Sequence, residues 1–239
     1  MNALKSKPRA AAWLMGLALA LAAAGVQAQS SCSSDGQPRP SGLLERFINA
    51  DCEPCWRAAE TARPGRGELA LDWVRPGSRG EDAPLSAVAV REALARLQAL
   101  GLTRPLQDAA SRRKARASGE RLRVAHGLPF GGYIGASIEL KPGRGGPWQA
   151  WLLLVETLPP GTEGSPVART LVRNVLQLNW DSRTPRSEIR PGSFYETRPM
   201  QIPTGADPAR LRVVGWVEDT RGRVRGIAVS RCTSAPGEG

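Results

Sequence analysis

Apolar residues follow two different patterns along this chain of 239 residues. In the first half, apolar runs at 43–49 and 68–74 predict two strands. Over 84–101, apolar residues recur at helical spacing, a proline suits the first turn and a glycine suits the end, so this segment is predicted to be the clearest helix. The mixture of strands and helices indicates an α/β part.

From residue 120 onward, short apolar runs are separated by turns rich in Pro and Gly. These runs predict strands at 133–140, 148–156, 172–180, 211–218 and 223–232. The first two of these strands are predicted to pair as a hairpin, and so are the last two. In the middle strand, one side is expected to carry Val172, Leu176, Leu178 and Trp180. This pattern favours an antiparallel sandwich.

The first 28 residues have the pattern of a secretion signal. Lys5, Lys7 and Arg9 precede an apolar run at 11–24, and small residues end at Ala28, where we expect cleavage. The predicted location is therefore periplasmic or secreted. The apolar run has about 14 residues, fewer than the roughly 20 that a spanning helix needs, so no membrane span is predicted.

Positive charge dominates the chain, which has 33 Lys and Arg against 22 Asp and Glu and a formal net charge of +11. The dense basic run is Arg112-Arg113-Lys114-Ala115-Arg116, and it has no aromatic neighbours on which bases could stack. We therefore expect a solvated linker or helix end at 112–116 and no nucleic-acid partner.

All four cysteines follow the predicted cleavage site. An even number in an oxidising compartment predicts two disulfides. Three pairings are possible. Because only two residues separate Cys52 from Cys55, we favour the pairing of these two, which leaves Cys32 with Cys232. The Cys-x-x-Cys motif lies between a predicted strand and a helix predicted to start at Trp56, the setting of thioredoxin-like redox sites.

The predicted chemistry of this motif depends on its neighbours. Free backbone N–H groups at a helix start favour a thiolate by roughly 0.3–1 kcal/mol, which makes Cys52 the attacking thiol and Cys55 the resolving thiol. The carboxylates of Asp51 and Glu53 oppose ionisation by about 1 kcal/mol. Since the two effects nearly cancel, we predict that the disulfide is a poor oxidant.

Three segments, 43–55, 69–74 and 213–219, read LLERFINADCEPC, LALDWV and VVGWVED. They resemble a family of bacterial secreted proteins of unknown function with a thioredoxin-like N-terminal part. The resemblance implies a periplasmic thioredoxin-like scaffold and carries over Cys52 and Cys55 alone. Such folds place a cis-proline beside the thiols, and Pro129 is the candidate for it.

His126 is the only histidine, so any mechanism that needs imidazole would have to use it. No Gly-x-Ser-x-Gly motif accompanies it, and we expect a structural or surface histidine. Cys32, Cys232 and His126 lie far apart in the sequence without the paired spacing of zinc sites, and Trp56 stands where haem attachment needs a histidine. No metal or cofactor is predicted.

Together these features predict an α+β protein. It would consist of a signal peptide at 1–28, a reduced thioredoxin-like α/β part at 29–118 and an antiparallel β-sandwich-like domain at 119–239. The leading hypothesis is an oxidoreductase that exchanges disulfides with a protein partner through Cys52 and Cys55. The alternative is a non-catalytic cell-envelope protein whose disulfides are structural and whose strands bind a partner or a glycan.

Overall fold

The computed structural model describes residues 32–103, 108–116, 119–142, 145–181 and 183–232. The predicted signal peptide at 1–28 lies outside the described residues. The elements in chain order are β1 (Cys32–Ser33), β2 (Gly42–Asn49), α1 (Glu53–Arg57), β3 (Glu68–Arg75), α2 (Glu92–Ala99), β4 (Asp108–Lys114), β5 (Arg121–His126), β6 (Tyr133–Lys141), β7 (Trp148–Leu158), β8 (Arg169–Trp180), β9 (Phe194–Gln201), β10 (Leu211–Glu218) and β11 (Val224–Val229). Short 3-10 helices lie at Gly80–Asp82, Ser86–Val88 and Pro208–Arg210.

The described strands form two sheets. One has seven strands in the order β11-β10-β7-β8-β3-β2-β4, and the other has four in the order β1-β5-β6-β9. β2 and β3 are parallel, β3 meets β8 in parallel at one residue pair, and the remaining pairs are antiparallel. Strands from both sides of residue 118 therefore share the seven-stranded sheet.

The two sheets pack face to face over the first hydrophobic core. Apolar side chains of β5, β6 and β9 meet those of β7, β8, β10 and β11 there. Gly215 on β10 allows close approach, because a Cβ at this position would lie 2.6 Å from Cγ1 of Val124 and 3.0 Å from Cδ1 of Ile138. The sandwich-like packing predicted for the second half is compatible with this arrangement.

The other face of the seven-stranded sheet is covered in part by α2. Ala93 and Leu97 of this helix pack on apolar residues of β2, β3, β7 and β10. α2 is shorter than the helix predicted over 84–101. Upstream of it, the backbone N–H of Val90 donates to the carbonyl of Val74 on β3 at 2.8 Å, so this part of the chain bonds to the sheet instead of to its own helix.

The thioredoxin-like part of the predicted fold is wrong. Strands make up 45% of the structure and helices 11%, with two α-helices among the described residues. One face of the large sheet is covered by a second sheet, whereas an α/β core carries helices on both faces. α1 ends at Arg57, and Trp56 is its one buried residue, so the segment after the thiols lacks the apolar stripe that would dock a longer helix.

Of the two predicted hairpins, one is wrong and the other is confirmed. β6 pairs with β5 and β9, whereas β7 pairs with β8 and β10, so β6 and β7 lie in different sheets. β10 and β11 do form a hairpin. Its turn is closed by the N–H of Asp219, which donates to the carbonyl of Arg223 at 3.1 Å, and Gly222 adopts a φ of +68° there.

A bulge in β8 overturns the prediction that its four apolar residues share one side. Asn174 pairs with Leu154 and Val172 pairs with Val155, which leaves Arg173 as the extra residue. An extra residue moves the following side chains to the opposite face. Val172 consequently packs under α2, whereas Leu176, Leu178 and Trp180 face the second sheet.

The basic run at 112–116 is not a solvated linker or a helix end, because most of it lies in the edge strand β4. Arg112 pairs with Glu68. Arg113 pairs with Glu45 at 2.7 Å and with Glu218 at 2.7 Å. These arginines neutralise carboxylates of the same sheet.

Arg96 on α2 is the centre of this buried charge network. Its side chain is fully buried, with Nε 2.7 Å from Oε1 of Glu45 and Nη2 2.7 Å from Oε1 of Glu218. Its guanidinium carbon lies 4.6 Å from the ring centroid of Trp151 and 5.1 Å from that of Trp216. Arg96 therefore ties α2 to β2 and β10 by charge and by stacking.

Replacing Arg96 with Met is expected to lower the free energy of unfolding by about 3–5 kcal/mol. The side-chain volume is nearly kept, but two buried carboxylates lose a cation. Urea unfolding followed by circular dichroism measures the change. The matched control is Arg91→Ala on an exposed arginine just before α2, for which we expect about 0.5 kcal/mol or less. Equal losses in both variants would contradict a special role for Arg96.

The network also predicts how stability depends on pH. Burial alone would raise the pKa of Glu218, but the charges and hydrogen bonds of Arg96 and Arg113 lower it below its ordinary value of 4.5. A lowered pKa stabilises the fold above pH 4.5, and this contribution is lost as the pH falls further. Urea unfolding between pH 7 and pH 3 is expected to show a smaller acid loss for Glu218→Gln than for the wild type. An unchanged acid loss would contradict the assignment.

Candidate functional site

Both predicted disulfides are confirmed. Cys52 bonds to Cys55, and Cys32 bonds to Cys232 across 200 residues of sequence. No described cysteine is left free. Two closed disulfides are consistent with an oxidising compartment.

The Cys52–Cys55 bridge lies where β2 and β3 end. These parallel strands finish at the same edge of the sheet, and the N–H of Ala50 donates to the carbonyl of Arg75 at 3.0 Å to hold the two ends together. Cys52 caps α1, and the N–H of Cys55 donates to the carbonyl of Cys52 at 3.1 Å and to its Sγ at 3.3 Å. The predicted strand-to-helix setting of the motif is therefore present locally, although the helix has only five residues.

The two sulfur-bearing residues lie between the core and the surface. Both Cys52 and Cys55 are half-buried. Cys55 contacts the buried cluster around Trp56 on one side. On another side it lines a small groove of about 80 Å³, together with Thr61 and residues 108–110 of the edge strand β4. The bridge therefore lies at the boundary of the core, with neither residue fully buried.

Asp51 and Glu53, the carboxylates beside Cys52, each have a partner. Asp51 accepts hydrogen bonds from the N–H and the hydroxyl of Ser78 at 2.6 and 2.8 Å and from the N–H of Arg79 at 3.2 Å. Burial acts to raise the pKa of Asp51, but these hydrogen bonds lower it overall. Glu53 pairs with Arg57 at 2.7 Å. Both carboxylates therefore have partners that the charge balance predicted around Cys52 did not include, and the oxidising strength of the disulfide stays a prediction.

The loop after β3 was missed as part of this site. Gly77 lies so close to Asp51 that a Cβ at this position would overlap the carboxylate. Proximity follows from the parallel pairing of β2 and β3, which brings residues 26 to 28 positions apart into contact. No local motif in the sequence signals that pairing.

The expected cis-proline is absent from the thiol site. Among the described residues, the cis peptide bonds precede Pro142 and Pro147, not Pro129. Pro129 lies beside the other disulfide, where it lines an apolar pocket with Cys32 and Cys232. Pro129, the candidate for that cis-proline, is therefore not in the cis form, so this feature of the thioredoxin-like resemblance is missing.

His126 shares that pocket, contrary to the separation expected from sequence distance. One ligand atom from each of His126, Cys32 and Cys232 lies within 4.8 Å of the others. The imidazole is 5% exposed, its Nδ1 donates to the carbonyl of Gly127 at 2.9 Å, and burial lowers its pKa, which favours the neutral ring. Since the two sulfurs are bonded to each other, they do not act as thiolate ligands in this state.

The tryptophans that the structure describes lie in the core, as most were predicted to. Each is at most 8% exposed: Trp56, Trp73, Trp148, Trp151, Trp180 and Trp216. Trp151 and Trp216 stack on each other, Trp73 and Trp180 stack on phenylalanines, and buried arginines lie over the rings of Trp56 and Trp151. Side chains this deeply buried do not line a groove for glycans.

Comparison of the chain with protein-family models, curated proteins and solved structures gave no match. Within the described ranges, no helix has the length and apolar character that crossing a membrane requires.

Gly77→Ala tests the link between the loop and the thiol turn. The new Cβ must displace the Asp51 carboxylate, so we expect a loss of about 1–3 kcal/mol in the free energy of unfolding, measured by urea denaturation. The control is Gly119→Ala, because a Cβ there would meet nothing within 4 Å. A loss in the control as large as in Gly77→Ala would show that the contact with Asp51 is not the cause.

Proposed function

We propose that this protein exchanges disulfides with a partner protein through Cys52 and Cys55. In the reduced protein, the Cys52 thiolate attacks a disulfide of the partner, forms a mixed disulfide and releases one partner thiolate. The Cys55 thiolate then attacks Cys52, which closes the Cys52–Cys55 bridge and releases the second partner thiolate. Two electrons pass to the partner, and the protein is left oxidised.

The observation that carries this proposal is the placement of the bridge at a partly open surface. A sulfur that takes part in exchange must be reached by a second sulfur. Neither Cys52 nor Cys55 is fully buried, which supports such an approach. The hydrogen bond from the Cys55 N–H to the sulfur of Cys52 would support a thiolate on the attacking residue.

The energetics of the two bridges indicate that Cys52–Cys55 can open at the smaller cost in stability. In the chain-entropy model, closing a loop of four residues stabilises a fold by about 2 kcal/mol, whereas closing one of about 200 residues contributes up to about 5 kcal/mol. The Cys32–Cys232 bridge is therefore the stronger structural link. Opening Cys52–Cys55 during a reaction cycle would leave that link in place.

The proposed setting is the periplasm or the outside of the cell. The pattern at 1–28 and the two disulfides support it. Thiol–disulfide exchange with exported proteins suits such a compartment.

The decisive variant is Cys55→Ser, which keeps the attacking thiol and removes the resolving one. With a thionitrobenzoate disulfide as the probe, it is expected to release about one equivalent of thiolate and to keep the mixed disulfide on Cys52, as measured by intact mass. The wild type, reduced mildly while folded, is expected to release about two equivalents and to keep no adduct, because Cys55 resolves it.

Cys52→Ser is the matched control. Its remaining Cys55 is expected to react at least about tenfold more slowly, since this thiol packs against the Trp56 cluster. If Cys52 in the Cys55→Ser variant reacts only in urea, the sulfur is inaccessible in the fold and the exchange mechanism is refuted.

A second candidate function is supported by the contact between Cys55 and the Trp56 cluster. In this alternative, the bridge only fixes the start of α1 so that Trp56 stays in the core, and the protein is a non-catalytic component of the cell envelope. The bridge would then take no part in disulfide exchange, and its role would be to stabilise the local structure. If the folded protein does not react with the thionitrobenzoate disulfide, the result favours this structural role of the bridge.

A further inference from the structure

The four-stranded sheet carries a cleft that is separate from the thiol site. Its floor is formed by parts of β5 and β6, and its walls by residues 34–39 after β1, by Arg190 before β9 and by part of β11. The cleft has a volume of about 430 Å³. Small-molecule sites in proteins range from about 300 to 1,000 Å³, so the space suits a compact ligand.

Cationic side chains dominate this cleft. It is lined by Arg39, Arg121, Arg123, Lys141 and Arg190. The acidic residues of the lining are Asp35 and Glu139. Cationic side chains therefore outnumber acidic ones more strongly in this lining than over the chain as a whole.

Both carboxylates of the cleft are already engaged. Asp35 accepts from Nε of Arg123 at 2.8 and 3.0 Å. Glu139 accepts from the hydroxyl of Ser193 at 2.6 Å. Of the cations that line the cleft, Arg123 therefore has an ion pair. The described residues form no ion pair with the other four: Arg39, Arg121, Lys141 and Arg190.

Two of these unpaired cations face each other across the sheet. Arg121 on β5 is directly opposite Lys141 on β6 in the antiparallel register. Like charges in directly opposed positions destabilise a sheet, and an anion between them would relieve the repulsion. The register therefore favours an anionic ligand at this position, and this reason is separate from the general basicity of the chain.

We propose that this cleft binds a soluble small molecule that carries phosphate groups. Arginine matches phosphate with two parallel hydrogen bonds, and several cations around one space suit a ligand with at least two negative charges. Among the described residues that line the cleft none is aromatic, so they offer no ring on which a nucleobase could stack. This proposal does not depend on the thiol chemistry, since neither Cys52 nor Cys55 lines the cleft.

The test is titration of the full-length exported protein with inorganic pyrophosphate in a calorimeter at low ionic strength. The double variant Arg121→Ser with Lys141→Ser is expected to bind at least about tenfold more weakly than the wild type. Pyrophosphate is also expected to raise the melting temperature of the wild type but not that of the double variant. Without ligand, the double variant should melt at or above the wild-type temperature, because it loses a repulsion.

The matched control is Arg63→Ser with Arg66→Ser, which removes two exposed arginines that do not line the cleft. This variant should bind pyrophosphate as the wild type does. Equal weakening in both double variants, or no binding by the wild type, would overturn the proposal. Co-sedimentation with phosphatidylglycerol vesicles that survives saturating pyrophosphate would also overturn it, in favour of a membrane surface as the partner.

Discussion

The seven-stranded sheet is apolar on both faces, and the need to cover both faces organises the rest of the molecule. Along β7, alternate residues point into two different cores: Ala150, Leu152 and Leu154 on one side, and Trp151, Leu153 and Val155 on the other. A second sheet covers the first face. On the other face, the described cover includes one helix of two turns, α2.

The limited helical cover gives buried charges a structural role on that face. Arg96 brings a guanidinium under α2, where Glu45 and Glu218 neutralise it and two tryptophan rings stack on it. A network of this kind fixes the position of a short helix more sharply than a few apolar contacts can, because each hydrogen bond has a required geometry.

A second buried network connects the sheet to the thiol turn. Asp72 on β3 pairs with Arg46 at 2.6 Å and with Arg169 at 3.0 Å. Arg169 also donates to the carbonyl of Trp56 at 2.9 Å and stacks over its ring at 5.0 Å. The short helix α1, and with it Cys55, is therefore anchored to an interior strand of the sheet, although Cys52 and Cys55 are only half-buried.

The sequence by itself determined several local elements and favoured the correct cysteine pairing. Strands such as 211–218, the turn that ends at Gly222 and both disulfides were predicted, because alternating hydrophobicity, glycine in a turn and close cysteine spacing act over a few residues. For the candidate site, the sequence supplied Cys52 and Cys55 and their position between a strand and a helix.

The tertiary structure alone decided which strands share a sheet and what surrounds each site. A strand followed by Cys-x-x-Cys and a helix start is compatible with several folds, and the helix stops at Arg57 because the next residues offer no apolar face to the core. The bulge at Arg173, the contact of Gly77 with Asp51 and the opposition of Arg121 and Lys141 all depend on pairing between distant segments. Such pairings follow from the packing of whole sheets, which no local pattern encodes.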